Sequence, residues 1–148
     1  YDNLETNCDV YGGLYQWDEI MQYTITQGVQ GICPQGWYLP TNAEWTTLIE
    51  YLGGFSVAGG EMKETGTTHW LSPNTGGTNS SGFTGLPGGY RSTDGTFNSL
   101  GYDGYFWSST EYSSTYAWFR NMLYNNACVY SCEILKGYGF SVRCLRDF

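Results

Sequence analysis

Apolar residues recur at helical spacing in Leu39–Gly54, which reads LPTNAEWTTLIEYLGG. Thr41 is followed three residues later by Glu44, which forms a capping box: each side chain satisfies a free backbone N–H of the other residue. The apolar residues that follow fall at i, i+3, i+4 and i+7 and share one helix face: Trp45, Leu48, Ile49 and Leu52. Two glycines end the pattern, so the sequence predicts a helix that stops near Gly53.

A second, shorter helix is predicted in residues 14–25, which read LYQWDEIMQYTI. Acidic residues stand early in this segment, as in many first helical turns. Its apolar residues are predicted to lie on one side of the helix: Leu14, Trp17, Met21 and Ile25.

The pattern changes after Gly53 to a region rich in Gly, Ser, Thr, Asn and Pro, and residues 53–104 are predicted to be mostly turns. Within it, Asp94-Gly95 is a candidate hairpin turn because both residue types tolerate positive φ. After Tyr105 come short aromatic and β-branched runs typical of an antiparallel meander: YFWSST, YAWFRNML, ACVYS and GFSVRCLR. Helices, then loops, then strands predict an α+β fold, and we find no linker or internal repeat, so residues 1–148 are interpreted as a single domain.

Composition excludes two classes of partner. The chain of 148 residues has a formal net charge of −8, and its six basic residues are scattered, so we expect no nucleic-acid binding. No apolar run approaches the roughly 20 residues that cross a bilayer, so we expect no direct membrane insertion.

Five cysteines in a chain of low charge and high Tyr and Gly content favour an oxidising, extracellular setting. They are Cys8, Cys33, Cys128, Cys132 and Cys144. An odd count leaves one thiol without a partner inside the chain.

The residues offer little for catalysis or for metal binding. His69 is the one histidine, no nucleophile motif flanks it, and we interpret it as a structural or surface residue. Cys128 and Cys132 form a single pair where zinc needs four ligands, so no metal site is predicted. Acidic turns such as DNLETNCD offer oxygen ligands for calcium, but their spacing matches no loop motif. We therefore expect no enzyme activity and no cofactor, with calcium as an alternative.

Residues 105–130 combine many aromatic rings with Ser and Asn. Tyr and Trp provide large amphipathic contact areas, while Ser and Asn supply adaptable hydrogen bonds, as in antibody paratopes. The alternative is that alternate residues of the strands face the core. Both alternating faces mix polar and apolar residues, so the spacing does not choose between a binding surface and a core.

Four motifs occur in one order along the chain: CPQGWYLPTNAEWTTLI (33–49), GFTGLPGGYR (82–91), GTFNSLGYDGYFWSSTE (95–111) and KGYGFSVRCLRD (136–147). With them the chain resembles the Fibrobacter succinogenes major paralogous domain. The resemblance implies a C-type lectin-like fold with two helices, long irregular loops and a C-terminal antiparallel sheet. It also implies a bacterial protein that is secreted or exposed at the cell surface, without assigned catalysis.

The resemblance and the motif positions of Cys33 and Cys144 imply a disulfide between these two residues. In the family a cysteine commonly precedes the motif YDN, which is residues 1–3 here, and serves as a partner for Cys8. Because the sequence begins at Tyr1, we expect that partner and the N-terminal strand of the family domain to be missing. For Cys128 and Cys132, a local bridge, two free thiols and a role in binding all stay open.

Related lectin-like proteins include the variable proteins of diversity-generating retroelements, in which rewritten codons near the C-terminus form a ligand-facing patch. Residues 112–132 are dense in the residue types that such rewriting produces. We expect a non-catalytic adhesion domain that binds a protein or glycan ligand at a cell surface, with Trp107, Trp118 and Arg120 facing inward. The expected ligand-binding residues are Tyr112, Tyr116, Phe119, Asn121, Tyr124, Asn125, Asn126 and Tyr130.

Three other functions are alternatives to this expectation. The first is a diversified receptor-binding protein of a diversity-generating retroelement. The second is a calcium-dependent glycan-binding lectin. The third is an enzyme of the formylglycine-generating type, for which Cys128 or Cys132 would be the reactive residue.

Overall fold

A computed structural model describes residues 2–147 and shows an α+β architecture, as predicted. The helices of this range are α1 (Glu5–Tyr11), α2 (Trp17–Ile20), α3 (Asn42–Tyr51) and α4 (Ala58–Met62). Its strands are β1 (Trp37–Tyr38), β2 (Tyr90–Arg91), β3 (Phe97–Asn98), β4 (Asp103–Glu111), β5 (Tyr116–Leu123), β6 (Val129–Leu135) and β7 (Leu145–Arg146). No helix within residues 2–147 is long and apolar enough to span a bilayer.

The predicted capping box at the start of α3 is confirmed. The Thr41 hydroxyl accepts a hydrogen bond from the Glu44 N–H at 3.2 Å, and Glu44 Oε2 accepts one from the Thr41 N–H at 2.8 Å. The Tyr38 hydroxyl donates to the other oxygen of the same carboxylate, Glu44 Oε1, at 2.6 Å. Trp45 and Ile49 on the apolar face of α3 are buried.

The helix predicted in residues 14–25 is much shorter, because α2 is a single turn. Met21 is fully buried as predicted, but Ile25 is 69% exposed, so its assignment to the buried side was wrong. The chain leaves the helix directly after Met21, where Gln22 and Tyr23 have φ values of 51° and 60°. A residue in this left-handed region cannot continue an α-helix.

Two of the helices were not predicted, and each lacks the usual sequence signal. α1 buries no side chain, so it has no apolar stripe. α4 contains Gly59 and Gly60, residues that weaken isolated helices. A Cβ at Gly59 would lie 2.1 Å from the backbone oxygen of Cys128, so the close approach of α4 to the segment before β6 requires glycine.

The long region between α3 and β4 consists mostly of turns, as predicted. Its regular secondary structure includes the hairpin of β2 and β3, in which Tyr90 pairs with Asn98. The predicted turn at Asp94-Gly95 lies between these strands, and Gly95 has the positive φ of 90°.

Three of the four runs predicted to form the C-terminal meander are confirmed as an antiparallel sheet in the order β4-β5-β6. The prediction was wrong for the fourth run, GFSVRCLR, in which the strand β7 pairs with β1 instead. Alternating side chains define the two faces of the β4-β5-β6 sheet. The front face carries Tyr105, Trp107, Phe119, Asn121, Tyr130 and Ile134. The back face carries Phe106, Trp118, Arg120 and Met122. Both faces are covered in part: the front packs against a cluster with Trp17 and Phe140, and the back packs against Trp45 and Ile49 of α3.

The disulfide between Cys33 and Cys144 is present, with the two Cα atoms 5.9 Å apart. It links the segment before β1 to the residue before β7, and these two strands pair through Trp37 and Arg146. Among the described residues, Cys8, Cys128 and Cys132 are free thiols, so the local bridge between the last two does not form.

Candidate ligand-binding site

The eight residues expected to form one ligand-binding surface lie in three separate places. Phe119, Asn121 and Tyr130 are on the front face of the sheet. Tyr112 and Tyr116 flank the turn between β4 and β5. Tyr124, Asn125 and Asn126 follow β5 in the turn that leads to β6. The eight residues therefore form three local surfaces and not the one continuous surface that was expected.

Phe119 is a core residue rather than an exposed one, which corrects the prediction. It is 7% exposed, and its ring centroid lies 4.9 Å from that of Phe140. Trp118, expected to point inward, is only half-buried and meets the exposed Tyr112 edge-on at 5.3 Å. The alternation of β5 gave the wrong assignment because both faces of the sheet are packed, so neither face is simply the outside.

Arg120 is buried at 1% exposure, in agreement with the predicted inward orientation. Its guanidinium donates to the side-chain oxygen of Asn42 at 2.7 Å, to the Asn42 carbonyl at 3.1 Å and to the Thr46 hydroxyl at 3.2 Å. Burial lowers the pKa of Arg120 to about 10. These bonds fix the middle of β5 to the first turns of α3 and so set the position of the sheet.

Lys63 holds the turn that contains Tyr124, Asn125 and Asn126. Its side chain is fully buried, and Nζ donates to the carbonyl oxygens of Leu123 at 2.9 Å, Asn126 at 2.8 Å and Thr75 at 2.9 Å. Burial lowers the pKa of Lys63 to about 8. The backbone of this turn is therefore fixed from inside the protein, while the Asn125 side chain remains exposed.

An aromatic cleft of about 340 Å³ opens on the front face of the sheet. Its buried floor consists of Phe119 and Phe140. Its half-buried walls come from β2, β4, β5, β6 and the segment after β6: Tyr90, Tyr105, Asn121, Ile134 and Tyr138. We call these seven residues the aromatic cleft.

The rings of the aromatic cleft hold one another in place. The centroid of Tyr105 lies 5.3 Å from that of Tyr90, edge-on, and 4.9 Å from that of Phe140 in a stacked arrangement. The Tyr138 centroid is 5.8 Å from Tyr90. Packed rings of this kind lose little side-chain entropy when a ligand binds, because their rotamers are already restricted.

The polar groups of the aromatic cleft differ in whether they are already bonded. Tyr105 donates its hydroxyl to Asp103 at 3.1 Å, and burial raises the pKa values of both groups. In residues 2–147, by contrast, the Asn121 carboxamide and the Tyr90 and Tyr138 hydroxyls make no hydrogen bond to the protein. These three groups are available to a ligand.

Tyr130 borders the aromatic cleft, since it pairs with Asn121 across β5 and β6 and is 40% exposed. Its hydroxyl lies 3.4 Å from the amide nitrogen of Asn126. The turn fixed by Lys63 therefore meets the edge of the cleft at Tyr130, so two of the three local surfaces adjoin.

Of the groups considered for catalysis, Cys132 lies on the front face opposite Phe119, and the others lie away from the cleft. His69 Nδ1 contacts Glu64 Oε2 at 2.9 Å, and its ring meets Tyr11 edge-on. Cys132 is exposed on β6, whereas Cys128 is half-buried with its sulfur 4.0 Å from the Ser56 carbonyl oxygen. Within the described residues there is no group of three or more His, Cys, Asp or Glu arranged to hold a metal ion.

Of the seven residues of the aromatic cleft, the sequence-based prediction named Phe119 and Asn121, and it also named Tyr130 at the edge of the cleft. It did not name the other five. Tyr90 and Tyr138 lie in the motifs GFTGLPGGYR and KGYGFSVRCLRD, which carried the resemblance. Their presence in those motifs was the available signal, but their spacing along the chain does not show that they meet.

Comparison with known proteins places the chain in a family. The model of the Fibrobacter succinogenes major domain matches residues 1–146. The chain belongs to this family. Neither a curated protein nor a solved structure matches it. The motifs with Tyr90 and Tyr138 lie inside the matched range, so the aromatic cleft is part of the Fibrobacter succinogenes major domain itself.

Proposed function

We propose that this Fibrobacter succinogenes major domain is a non-catalytic ligand-binding module of a secreted or surface-exposed protein. The observation that carries the proposal is the aromatic cleft, in which half-buried tyrosines surround a buried floor and the Asn121 carboxamide makes no hydrogen bond within residues 2–147. Concave sites lined by aromatic rings with a few polar groups are the usual form of small-ligand sites in proteins. The ligand would be a protein or a glycan at a cell surface.

We further propose that the domain has a C-type lectin-like scaffold. Support comes from the order of its elements, with helices first, long loops next and an antiparallel sheet at the end. The Cys33–Cys144 disulfide, which joins the segment before β1 to the residue before β7, is of the kind found in oxidising compartments. An extracellular location is consistent with that bond.

A diversified receptor-binding protein is the second candidate function. It is favoured by the exposure of Tyr112, Tyr116, Asn125 and Tyr130, four residues of types that codon rewriting produces. Sequencing the native gene tests it directly. A neighbouring reverse transcriptase with a second copy of the 3′ end that differs at adenines would support it, and a locus without them would contradict it.

Binding to cell surfaces and to immobilised polysaccharides tests the main proposal. Asn121→Ala and Tyr138→Ala are expected to weaken binding by at least about 5-fold, the effect of removing a contact worth about 1 kcal/mol. Tyr51→Ala is the matched control, because Tyr51 is 86% exposed on α3, away from the cleft.

The opposite pattern would contradict the proposal. If binding persists in both cleft variants and is lost in Tyr112→Ala, the ligand site lies beside Trp118 and not in the aromatic cleft. Thermal unfolding of each variant separates a lost contact from a lost fold.

A further inference from the structure

The aromatic cleft has a lining that selects among ligand classes, and this selection rests on the proposed binding function. None of its seven lining residues carries a charge at neutral pH. The basic residues nearest in sequence are engaged elsewhere. Arg120 points to the back face, where it binds Asn42 and Thr46. The Arg91 guanidinium lies 5.9 Å from the Phe97 ring centroid, and Lys136 binds Glu111. With a net charge of −8 and no base in the lining, the cleft is unsuited to an anionic ligand.

A cationic ligand would find only part of what it needs. Tyrosine rings attract cations, but no carboxylate lines the cleft to pair with the charge. Asp103, which accepts the Tyr105 hydroxyl at 3.1 Å, lies outside the lining, and burial raises its pKa. A cation would therefore be held by ring contacts without an opposite charge beside it.

An entirely apolar ligand would not use the polar groups present. The lining includes the Asn121 carboxamide and the hydroxyls of Tyr90 and Tyr138. None of these three groups makes a hydrogen bond within residues 2–147. Covering such groups with an apolar ligand costs free energy, because their hydrogen bonds to water are lost and not replaced. The lining thus fits a neutral ligand that has one apolar face and several hydroxyl groups.

We propose that the aromatic cleft binds one sugar residue of a neutral glycan without a metal ion. The C–H face of the sugar packs against the rings of Tyr90, Tyr105 and Tyr138. Its hydroxyls exchange hydrogen bonds with the Asn121 carboxamide and with the tyrosine hydroxyls. The volume of about 340 Å³ lies at the lower end of the roughly 300–1,000 Å³ typical of small-ligand sites, which suits one sugar residue.

The longer glycan would continue past Tyr130. This side chain lies directly opposite Asn121, is 40% exposed, and meets the Asn126 amide at the edge of the cleft. A second sugar residue would therefore find an aromatic ring and the exposed Asn125 next to the first one. Oligosaccharides are expected to bind more tightly than monosaccharides for this reason.

An array of neutral, sialylated and sulfated oligosaccharides, followed by calorimetric titration with the best neutral one, tests the proposal. We expect binding to neutral members that is unchanged by a calcium chelator. Tyr138→Phe keeps the ring and removes the hydroxyl, so it should weaken binding by about 2- to 10-fold. Tyr138→Ala removes both and should weaken binding further, while Tyr51→Ala leaves it unchanged.

The outcomes separate this inference from the proposed function. Cleft-dependent binding of sialylated or sulfated glycans, or of proteins alone, would overturn the neutral-glycan inference and leave the binding function intact. Binding abolished by the chelator would overturn the metal-free part of the inference. If binding to every ligand is insensitive to Asn121→Ala and to both Tyr138 variants, the inference and the cleft as the functional site fail together.

Discussion

At the scale of single residues, Lys63 connects burial, charge and the candidate site. Its ammonium group is fully buried, and its three hydrogen bonds go to backbone carbonyls of residues 75, 123 and 126. The Trp70 ring lies 5.3 Å from Nζ and adds a favourable cation–π contact. These neutral partners compensate burial only in part, which is why the pKa falls to about 8.

This pKa gives a stability that depends on pH in a definite direction. Above about pH 8 the folded protein releases the Lys63 proton, while the unfolded chain keeps it up to about pH 10.5. Between about pH 8 and pH 10.5, Lys63 should therefore raise the free energy of unfolding by up to about 1.4 kcal/mol for each pH unit. Other groups also titrate in this range, so the measurement is the difference between wild type and Lys63→Met in urea unfolding at pH 7 to 10.

We expect Lys63→Met to be less stable at every pH, because three carbonyls lose their donor. The gap between wild type and Lys63→Met in free energy of unfolding should widen as the pH rises from about 8. A gap that stays constant would contradict the lowered pKa. A gap that narrows would mean that the charged form is the one that the fold favours.

At the scale of elements, α3 shows what local sequence determines. Its capping box joins Thr41 and Glu44, and Thr47 is an exposed residue of the same type further along the helix, where its hydroxyl donates to the Ala43 carbonyl at 3.1 Å. Thr41→Ala should destabilise the protein by about 0.5–2 kcal/mol because the first turn loses its cap.

The matched control is expected to act in the opposite direction. Thr47→Ala replaces a β-branched residue with the best helix former, so it should be neutral or stabilising by a few tenths of a kcal/mol. Chemical denaturation of both variants measures the difference. Equal effects from the two changes would show that the cap contributes nothing specific.

The difference between local and distant interactions explains how much of the molecule could be predicted from the sequence. The cap of α3, the turn at Asp94-Gly95 and the strands β4 to β6 have local sequence signals, and these signals predicted them. The short α2 and the inward side of β5 depend on packing from distant segments. The aromatic cleft brings together Tyr90, Tyr105 and Tyr138 from three separate segments, and no local pattern shows that they meet.

At the scale of the whole molecule, the sheet lies between two cores. Trp107 packs into the front cluster and Phe106 into the back cluster, although they are consecutive residues of β4. Arg120 then attaches the back face to α3, and the aromatic cleft occupies the part of the front face that the core does not fill. The walls of the candidate site are thus held by the same packing that stabilises the fold.

The Cys33–Cys144 disulfide is the covalent link across this arrangement, and its removal should be felt by the entire domain. It closes a loop with a sequence separation of 111, for which the chain-entropy model gives a stabilisation of about 4–5 kcal/mol.

We expect the double variant Cys33→Ser/Cys144→Ser to unfold at a much lower urea concentration than wild type. The matched control is Cys128→Ser/Cys132→Ser, which removes two free thiols and should change stability by less than about 1 kcal/mol. Equal stability of the two double variants, or free thiols at both Cys33 and Cys144 in non-reducing peptide mapping, would contradict this role. The disulfide lies beside β1 and β7 and does not line the aromatic cleft. Its loss should therefore lower the free energy of unfolding, while the variant molecules that remain folded should bind the ligand as wild type does.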